Sequence, residues 1–264
     1  NLASMLTNNA GFNCNATRVI LTHAAWDQRD ALLDTIQGVL GGIPPRKAYY
    51  PGAADRFQLF VDAHPEARQL GDAGEGELPW TFIPGVDVHA GADDPCITTE
   101  AFCSVFSEMP LEADSVVDYI QAAVKACNET IWGTLNAAII VHPKSLKDPA
   151  IAAAVEAAVA DLRYGAVAVN HWPALAYGMV TTTWGAYPGH PLHDIQSGRG
   201  VVHNTFMFER VEKTVVRGPF RVSPKPPWFV TNKNGAAIGR KLFAFERRPG
   251  WLKVPGIALA TLRG

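Results

Sequence analysis

The sequence predicts an α/β fold: an open, doubly wound, mostly parallel sheet with helices on both faces, followed by an irregular C-terminal extension. Two observations predict the sheet. Short apolar runs alternate with stretches at helical spacing between residues 17 and 170. The intervening stretches are long enough for the crossover helices that parallel strands require. A third observation limits it: beyond residue 171 the pattern gives way to aromatic, Gly- and Pro-rich sequence.

Thr17–His23 is predicted as a strand because Val19-Ile20-Leu21 is a short apolar run rich in β-branched residues. Trp26–Leu40 is predicted as a helix, with Trp26, Leu33, Ile36 and Leu40 near helical spacing and Gly41-Gly42 stopping it. Residues 43–80, rich in Pro, Gly and acidic side chains, read as a long surface excursion interrupted by a helix at Ala53–Val61. Extended chain at Trp80–Val88 and a short buried strand at Cys103–Phe106 follow. Ala113–Asn128 reads as a helix with Val116, Val117, Ile120, Val124 and Cys127 on one face.

Asn136–Val141 is the next strand. Asp148-Pro149 then opens a helix, an N-cap carboxylate followed by proline at the first helical position. Ile151, Val155, Ala158, Val159 and Leu162 form its buried stripe, and Gly165 is expected to stop it. Ala166–Asn170 and Lys213–Arg217 are the last strands. Pro219–Pro227 carries too many prolines for regular structure. Residues 228–264 hold apolar pieces (Trp228–Val230, Leu242–Phe245, Ile257–Leu262) that need a covering surface. The expected organisation is therefore one domain over 1–217 and an extension, 218–264, packed on it or on a partner.

The chain has 264 residues, enough for a real core, and a formal net charge of −2. Lys and Arg read as scattered, so no nucleic-acid partner is expected. No apolar run approaches the roughly 20 residues of a membrane helix, so no membrane partner is expected. Cys14, Cys96, Cys103 and Cys127 form no CxxC pair and no metal-ligand spacing, which fits reduced thiols in the cytoplasm. The sequence begins at Asn1 without a leader pattern, inside what reads as folded sequence, so a portion of a longer protein is expected.

Cys14 is the residue with the most chemistry. It lies in Asn9-Ala10-Gly11-Phe12-Asn13-Cys14-Asn15-Ala16-Thr17-Arg18, behind a glycine turn and ahead of an apolar strand. A thiol so held faces the edge of a sheet, where a nucleophile meets a cleft. By itself a cysteine beside a strand serves most often as a small buried hydrophobe. The run resembles the active-site cysteine segment of the NAD(P)-dependent aldehyde dehydrogenase superfamily, Asn-x-Gly-Gln-x-Cys-x-Ala-x-x-Arg. Asn9, Gly11, Cys14, Ala16 and Arg18 match, and Phe12 replaces the glutamine.

A second segment, Thr99-Glu100-Ala101-Phe102-Cys103-Ser104-Val105, resembles the family's Glu-x-Phe-Gly-Pro-Val, with Cys103-Ser104 in place of Gly-Pro. The resemblance implies that Glu100 holds the nicotinamide ribose hydroxyls of NAD or NADP and that Phe102 flanks the ring. A carboxylate suits that task because it accepts from two vicinal hydroxyls at once. Later segments follow in the family's order: Ala126–Thr130 with Gly133–Ala138, Leu162–Asn170, Thr183–Ala186 and Ser197–Gly200. The resemblance covers residues 1–217.

What the resemblance implies is a cysteine mechanism. Cys14 attacks an aldehyde, hydride passes to NAD(P)+, and water activated by a glutamate hydrolyses the thioester. The site must favour the thiolate or deprotonate Cys14 on demand, and a backbone N–H near Cys14 holds the oxyanion. In the family the dinucleotide-binding domain, the general-base glutamate and the oxyanion asparagine all precede the cysteine. Only thirteen residues precede Cys14 here, none of them Glu. This stretch alone is therefore expected neither to oxidise aldehydes nor to bind dinucleotide tightly. Gly71-Asp72-Ala73-Gly74-Glu75-Gly76 follows no clear strand and opens no clear helix, so it is not read as a phosphate loop.

Homo-oligomerisation through an edge strand is also implied, with Thr214–Arg217 as the matching strand. Two other readings compete: a non-catalytic member of the fold acting as a binding or assembly module, and a cysteine hydrolase pairing Cys14 with one of eight histidines. A zinc site at His190-x-x-His193 with His203 lacks a completing ligand apart from Asp194, and no metal is expected. Trp172, Tyr177, Trp184 and Tyr187 either line an aldehyde pocket or pack the core.

Overall fold

The strand at Val19–His23 pairs in parallel with a central strand at Val105–Leu111, and this pairing anchors the first sheet. The computed structural model describes residues 1–264. In chain order its first elements are α1 (Leu2–Thr7), β1 (Val19–His23), α2 (Arg29–Gly41), β2 (Arg46–Lys47), α3 (Ala53–Ala63), β3 (Arg68–Leu70), β4 (Glu77–Leu78), β5 (Trp80–Ile83), α4 (Pro95–Thr98) and β6 (Val105–Leu111). They are followed by α5 (Val116–Glu129), β7 (Asn136–Ile139), α6 (Pro149–Asp161), β8 (Ala166–Val169), α7 (Ala174–Gly178), β9 (Thr214–Arg217), α8 (Gly235–Arg247) and α9 (Val254–Leu262).

Hydrogen bonding gives a four-stranded sheet, β1-β6-β5-β3, a second, three-stranded sheet, β7-β8-β9, and a short antiparallel pair, β2-β4. All pairs in the second are parallel, and in the first only the edge strand β3 is antiparallel. Alternation along β5 and β6 sends Ile83, Val105 and Met109 to one face, where Phe57 and Phe60 of α3 and Ala126 of α5 meet them. Phe82 and Phe106 stack on the other face, ring centroids 5.0 Å apart. Strand β8 is buried throughout, as a parallel strand covered on both faces must be. Its Val167 and Val169 pack with Val159, Leu162 and Tyr164, while Val124 and Cys127 of α5 join from the side.

A buried charge is satisfied within the first sheet. Glu108 is wholly inaccessible, and its carboxylate accepts from Arg29 Nε and Nη2 (both 2.8 Å), from Thr22 Oγ1 and from the Gly85 N–H (3.1 Å). Burial pushes its pKa up, but these donors outweigh burial and hold it below the ordinary carboxylate value. Removing one partner of such a pair costs about 3–5 kcal/mol.

Several expectations are corrected. Trp26 lies ahead of α2 and is exposed, since Leu33, Ile36 and Leu40 alone fill the buried stripe. Val116 is exposed because α5 packs instead through Tyr119, Ala122, Ala123 and Ala126. The buried strand expected at Cys103–Phe106 starts at Val105 and runs to Leu111. Residues 43–80 hold a helix and three short strands. Gly71–Gly76 follows β3 and leads into β4 rather than a helix, its Gly74 N–H donating to Glu77 Oε2 at 2.9 Å. Asp148 caps α6 as expected, accepting from the Ala150 N–H at 2.8 Å. Gly165 does not stop that helix, which ends at Asp161.

Residues 221–264 form a separate unit from residues 2–220. They are not irregular: α8 carries Ile238, Leu242 and Phe245 at helical spacing, and α9 follows. Lys253 Nζ donates to the carbonyls of Ala244 (2.8 Å) and Arg248 (2.6 Å), a cation at the C-terminal end of α8. Asn234 Nδ2 ties the pair together through the Ala260 carbonyl at 2.7 Å. The basic residues are not scattered here, since 9 of 23 Lys and Arg fall in this unit against one acidic residue, Glu246. No helix of the chain is long and apolar enough to cross a membrane.

Candidate active site

Three consecutive residues, Asn9, Ala10 and Gly11, adopt positive φ (52°, 58° and 86°) and turn the chain toward Cys14. Only Gly11 does so without strain. It also has no room for a side chain, because a Cβ there would lie 2.5 Å from the Cys103 carbonyl oxygen. The amide side chains knit the turn: Asn9 Nδ2 donates to the Phe12 carbonyl (3.1 Å), and Asn13 Nδ2 to Asn8 Oδ1 (3.2 Å). Cys14 emerges exposed at its end.

Arg18 staples this turn to the second motif. Its guanidinium donates to the carbonyls of Gly11, Cys103 and Val105. Arg56, on α3, does the same from the other side, Nε donating to the Ala101 carbonyl (3.2 Å) and Nη2 to the Phe102 carbonyl (3.4 Å). The two guanidiniums bracket a bend in which Phe102 has φ 40°. Residues from the two sequence motifs are thus brought to one place, Glu100 acting on Cys14 through its charge and Phe102 lying 6.1 Å, ring to ring, from Phe12.

The electrostatics of the thiol run against a resting thiolate. Partial desolvation and the Glu100 carboxylate raise the Cys14 pKa, opposed by its own backbone N–H and by Arg18. Glu100 is open to solvent on one side, yet the surrounding protein desolvates its carboxyl enough to raise it, against Arg18 and Arg56. Both arginines reach Glu100 by charge, while Arg18 Nη1 and Nη2 and Arg56 Nε, Nη1 and Nη2 donate to backbone carbonyls. A carboxylate so placed has the acceptor chemistry for a pair of vicinal hydroxyls. Phe102 fits less well: Tyr50 packs on its ring edge to face at 4.9 Å and Arg56 lies 6.0 Å over it. Phe12, in the glutamine's place, completes the cluster with Tyr49 at 5.0 Å.

The second sheet holds Cys14 from the far side. Asn136, first residue of β7, donates to the Cys14 carbonyl (2.9 Å), and the Trp172 indole N–H donates to the Asn15 carbonyl (2.8 Å). The later motif segments converge as packing. A Cβ on Gly165 would overlap the Gly185 carbonyl, and one on Gly185 would overlap the Gly200 carbonyl. Trp184 and Val202 exchange backbone hydrogen bonds of 3.0 and 2.8 Å across this stack. Asn128 bridges α5 to the α6–β8 connection, donating to the Asp161 carbonyl and accepting from the Arg163 N–H.

Trp172 and Trp184 are buried, Tyr177 is exposed and lies edge-on to Trp184 and beside His203, and Lys213 Nζ lies 5.5 Å over the Tyr187 ring. His190 pairs with Thr134 Oγ1 at 2.8 Å and does not gather with His193 or His203 into a ligand cluster. A cavity of about 360 Å³ lined by Thr181–Thr183, Phe206, Phe208 and Val211–Thr214 includes none of Cys14, Glu100 or Phe102. All four cysteines are free thiols. The contacts of Asn136 and Trp172 with the cysteine segment span 122 and 157 residues and leave no local pattern in the sequence.

No family model and no curated protein matches the chain. Among solved structures, it is similar to the NADP-dependent glyceraldehyde-3-phosphate dehydrogenase of Bacillus halodurans complexed with NADP, with TM-score 0.58 and 16% identity over 76% of this chain and 39% of that one. It is similar to an indole-3-acetaldehyde dehydrogenase in complex with NAD+ (TM-score 0.57, 18% identity, 76% of this chain and 38% of that). A third is the Mycobacterium tuberculosis aldehyde dehydrogenase complexed with NAD+ (TM-score 0.51, 15% identity, 76% and 39%). The chain spans less than half the length of each.

Proposed function

We propose that the chain, whose fold is similar to part of aldehyde dehydrogenases, supplies the nucleophile of an NAD(P)-dependent aldehyde dehydrogenase. The observation that carries this reading is the exposed Cys14 on a strained turn, stapled by Arg18 to the segment bearing Glu100. Cys14 Sγ bonds to the aldehyde carbon while the carbonyl oxygen gains the negative charge, toward which a backbone N–H near Cys14 donates. A bound nicotinamide supplies the hydride acceptor, and Glu100 positions its ribose. The thioester left on Cys14 is then hydrolysed to the acid.

With its thiol held above the ordinary value, Cys14 needs a base to form the attacking thiolate. We place that base and most of the dinucleotide site outside these residues, so that this chain alone is inert. Association through the β9 edge, whose residues alternate between half-buried and exposed, belongs to the same proposal. The non-catalytic reading draws on the raised thiol and on Phe102 being packed away. The hydrolase reading is disfavoured because the charges acting on Cys14 are those of Glu100 and Arg18, with no histidine among them.

Aldehyde-dependent reduction of NAD+ or NADP+ by the full-length protein, beside Cys14→Ala, tests the proposal. Loss of more than about a thousandfold in turnover is expected for removal of a covalent nucleophile. Activity unchanged by the substitution contradicts the assignment, and absence of activity in the unsubstituted protein favours the non-catalytic module.

A further inference from the structure

Away from Cys14, three side chains of different ligand chemistry converge at the junction of α3 and α4. His64 is the C-cap residue of α3, Asp94 the N-cap of α4, and Cys96 lies in the first turn of α4. His64 Nε2 lies 3.1 Å from Asp94 Oδ1 and 3.4 Å from Cys96 Sγ, and the three ligand atoms all fall within 4.8 Å of one another. Its other nitrogen, Nδ1, meets Glu66 Oε1 at 2.8 Å. His64 and Cys96 are buried, and the Asp94 side chain is 11% exposed.

The geometry points to a site for a zinc-class divalent ion, bound by His64 Nε2, the Asp94 carboxylate and Cys96 Sγ. Zinc bonds of about 2.0 Å to nitrogen or oxygen and about 2.3 Å to sulfur set tetrahedral ligand atoms about 3.3–3.7 Å apart. The separations from Nε2 are within a few tenths of an ångström of that. Glu66 stands where an outer carboxylate fixes the imidazole tautomer and leaves Nε2 as the ligating atom. A thiolate and an imidazole select zinc, cobalt or nickel over magnesium and calcium.

Two other readings account for less. An imidazolium bridging Glu66 and Asp94 explains both short contacts, and the Asp94 cap on the Cys96 N–H (2.7 Å) brings Cys96 beside it, but that bridge spends Nε2 on Asp94 and makes no use of Sγ at 3.4 Å. A nucleophilic Cys96–His64–Glu66 arrangement needs access, and Cys96 is 5% exposed inside the core. Metal binding would release the thiol proton to solvent and tie α3 to the segment that continues to Glu100.

The test uses the 264-residue chain, stripped with chelator and kept reduced with a phosphine. Zn2+ is titrated calorimetrically and Co2+ is followed by absorption. One ion per chain is expected, with a thiolate-to-cobalt charge-transfer band and the visible bands of a four-coordinate centre. Cys96→Ser and His64→Gln are expected to weaken binding about tenfold or more, while Cys14→Ala leaves it intact. The proposal is overturned if no saturable binding occurs, if Cys96→Ser binds unchanged, or if the cobalt spectrum is six-coordinate without charge transfer. Should the substituted chains fail to fold, the cobalt spectrum of the unsubstituted chain decides.

Discussion

Arg18 determines more of the candidate site than any other side chain. Its Nη1 and Nη2 donate to the carbonyls of Gly11, Cys103 and Val105, fixing the distance between the cysteine turn and the Glu100 segment. Its charge also lowers the Cys14 pKa, against desolvation and against Glu100, which raise it. Glu100→Gln removes one raising influence and keeps the shape. Alkylation of Cys14 by iodoacetamide near pH 7 should therefore accelerate in Glu100→Gln, and the midpoint of its pH profile should fall; an unchanged or slower rate would show that Glu100 does not act on the thiol. Cys14, Glu100 and Arg18 were legible in the sequence because each belongs to a contiguous motif. Arg56 was not, because it is a surface-type residue on a short helix whose partners are backbone carbonyls 45 and 46 residues away. His64 escaped for the same reason, lying 30 residues from Asp94.

At the level of elements, the strands and the main helices were legible wherever apolar spacing and a cap coincide, as at Asp148-Pro149. Misreadings arose where one residue serves a distant neighbour. Gly165 looks like a helix stop, yet its requirement is the close passage of the Gly185 carbonyl against the start of β8. A methyl group added there overpacks backbone against backbone, which costs about 1–3 kcal/mol when the surroundings shift. Gly165→Ala should lower the midpoint of urea denaturation of the chain by a corresponding amount, whereas Gly38→Ala, with open space around it on α2, should not lower it. Equal midpoints for Gly165→Ala and the unsubstituted chain would remove the packing explanation. Trp26 and Val116 were misplaced for a related reason, since helical spacing identifies a face but not where the partner sheet stops.

At the scale of the molecule, residues 2–220 carry the parallel sheets and the cysteine turn, and residues 221–264 make a basic pair of helices. The chain spans 39% of the Bacillus halodurans structure it is similar to, and the proposed chemistry draws its base and most of its dinucleotide site from beyond these residues. In that proposal this chain contributes the covalent step, and such a step leaves a chemical record. The full-length protein is mixed with an aldehyde and NAD+ or NADP+, quenched in acid within the first turnover, and digested for mass spectrometry. An acyl group in thioester linkage is expected on the peptide containing Cys14, absent when the dinucleotide is omitted. Acid product formed with Cys14 unmodified, or an acyl group on Cys96, Cys103 or Cys127 instead, would contradict it.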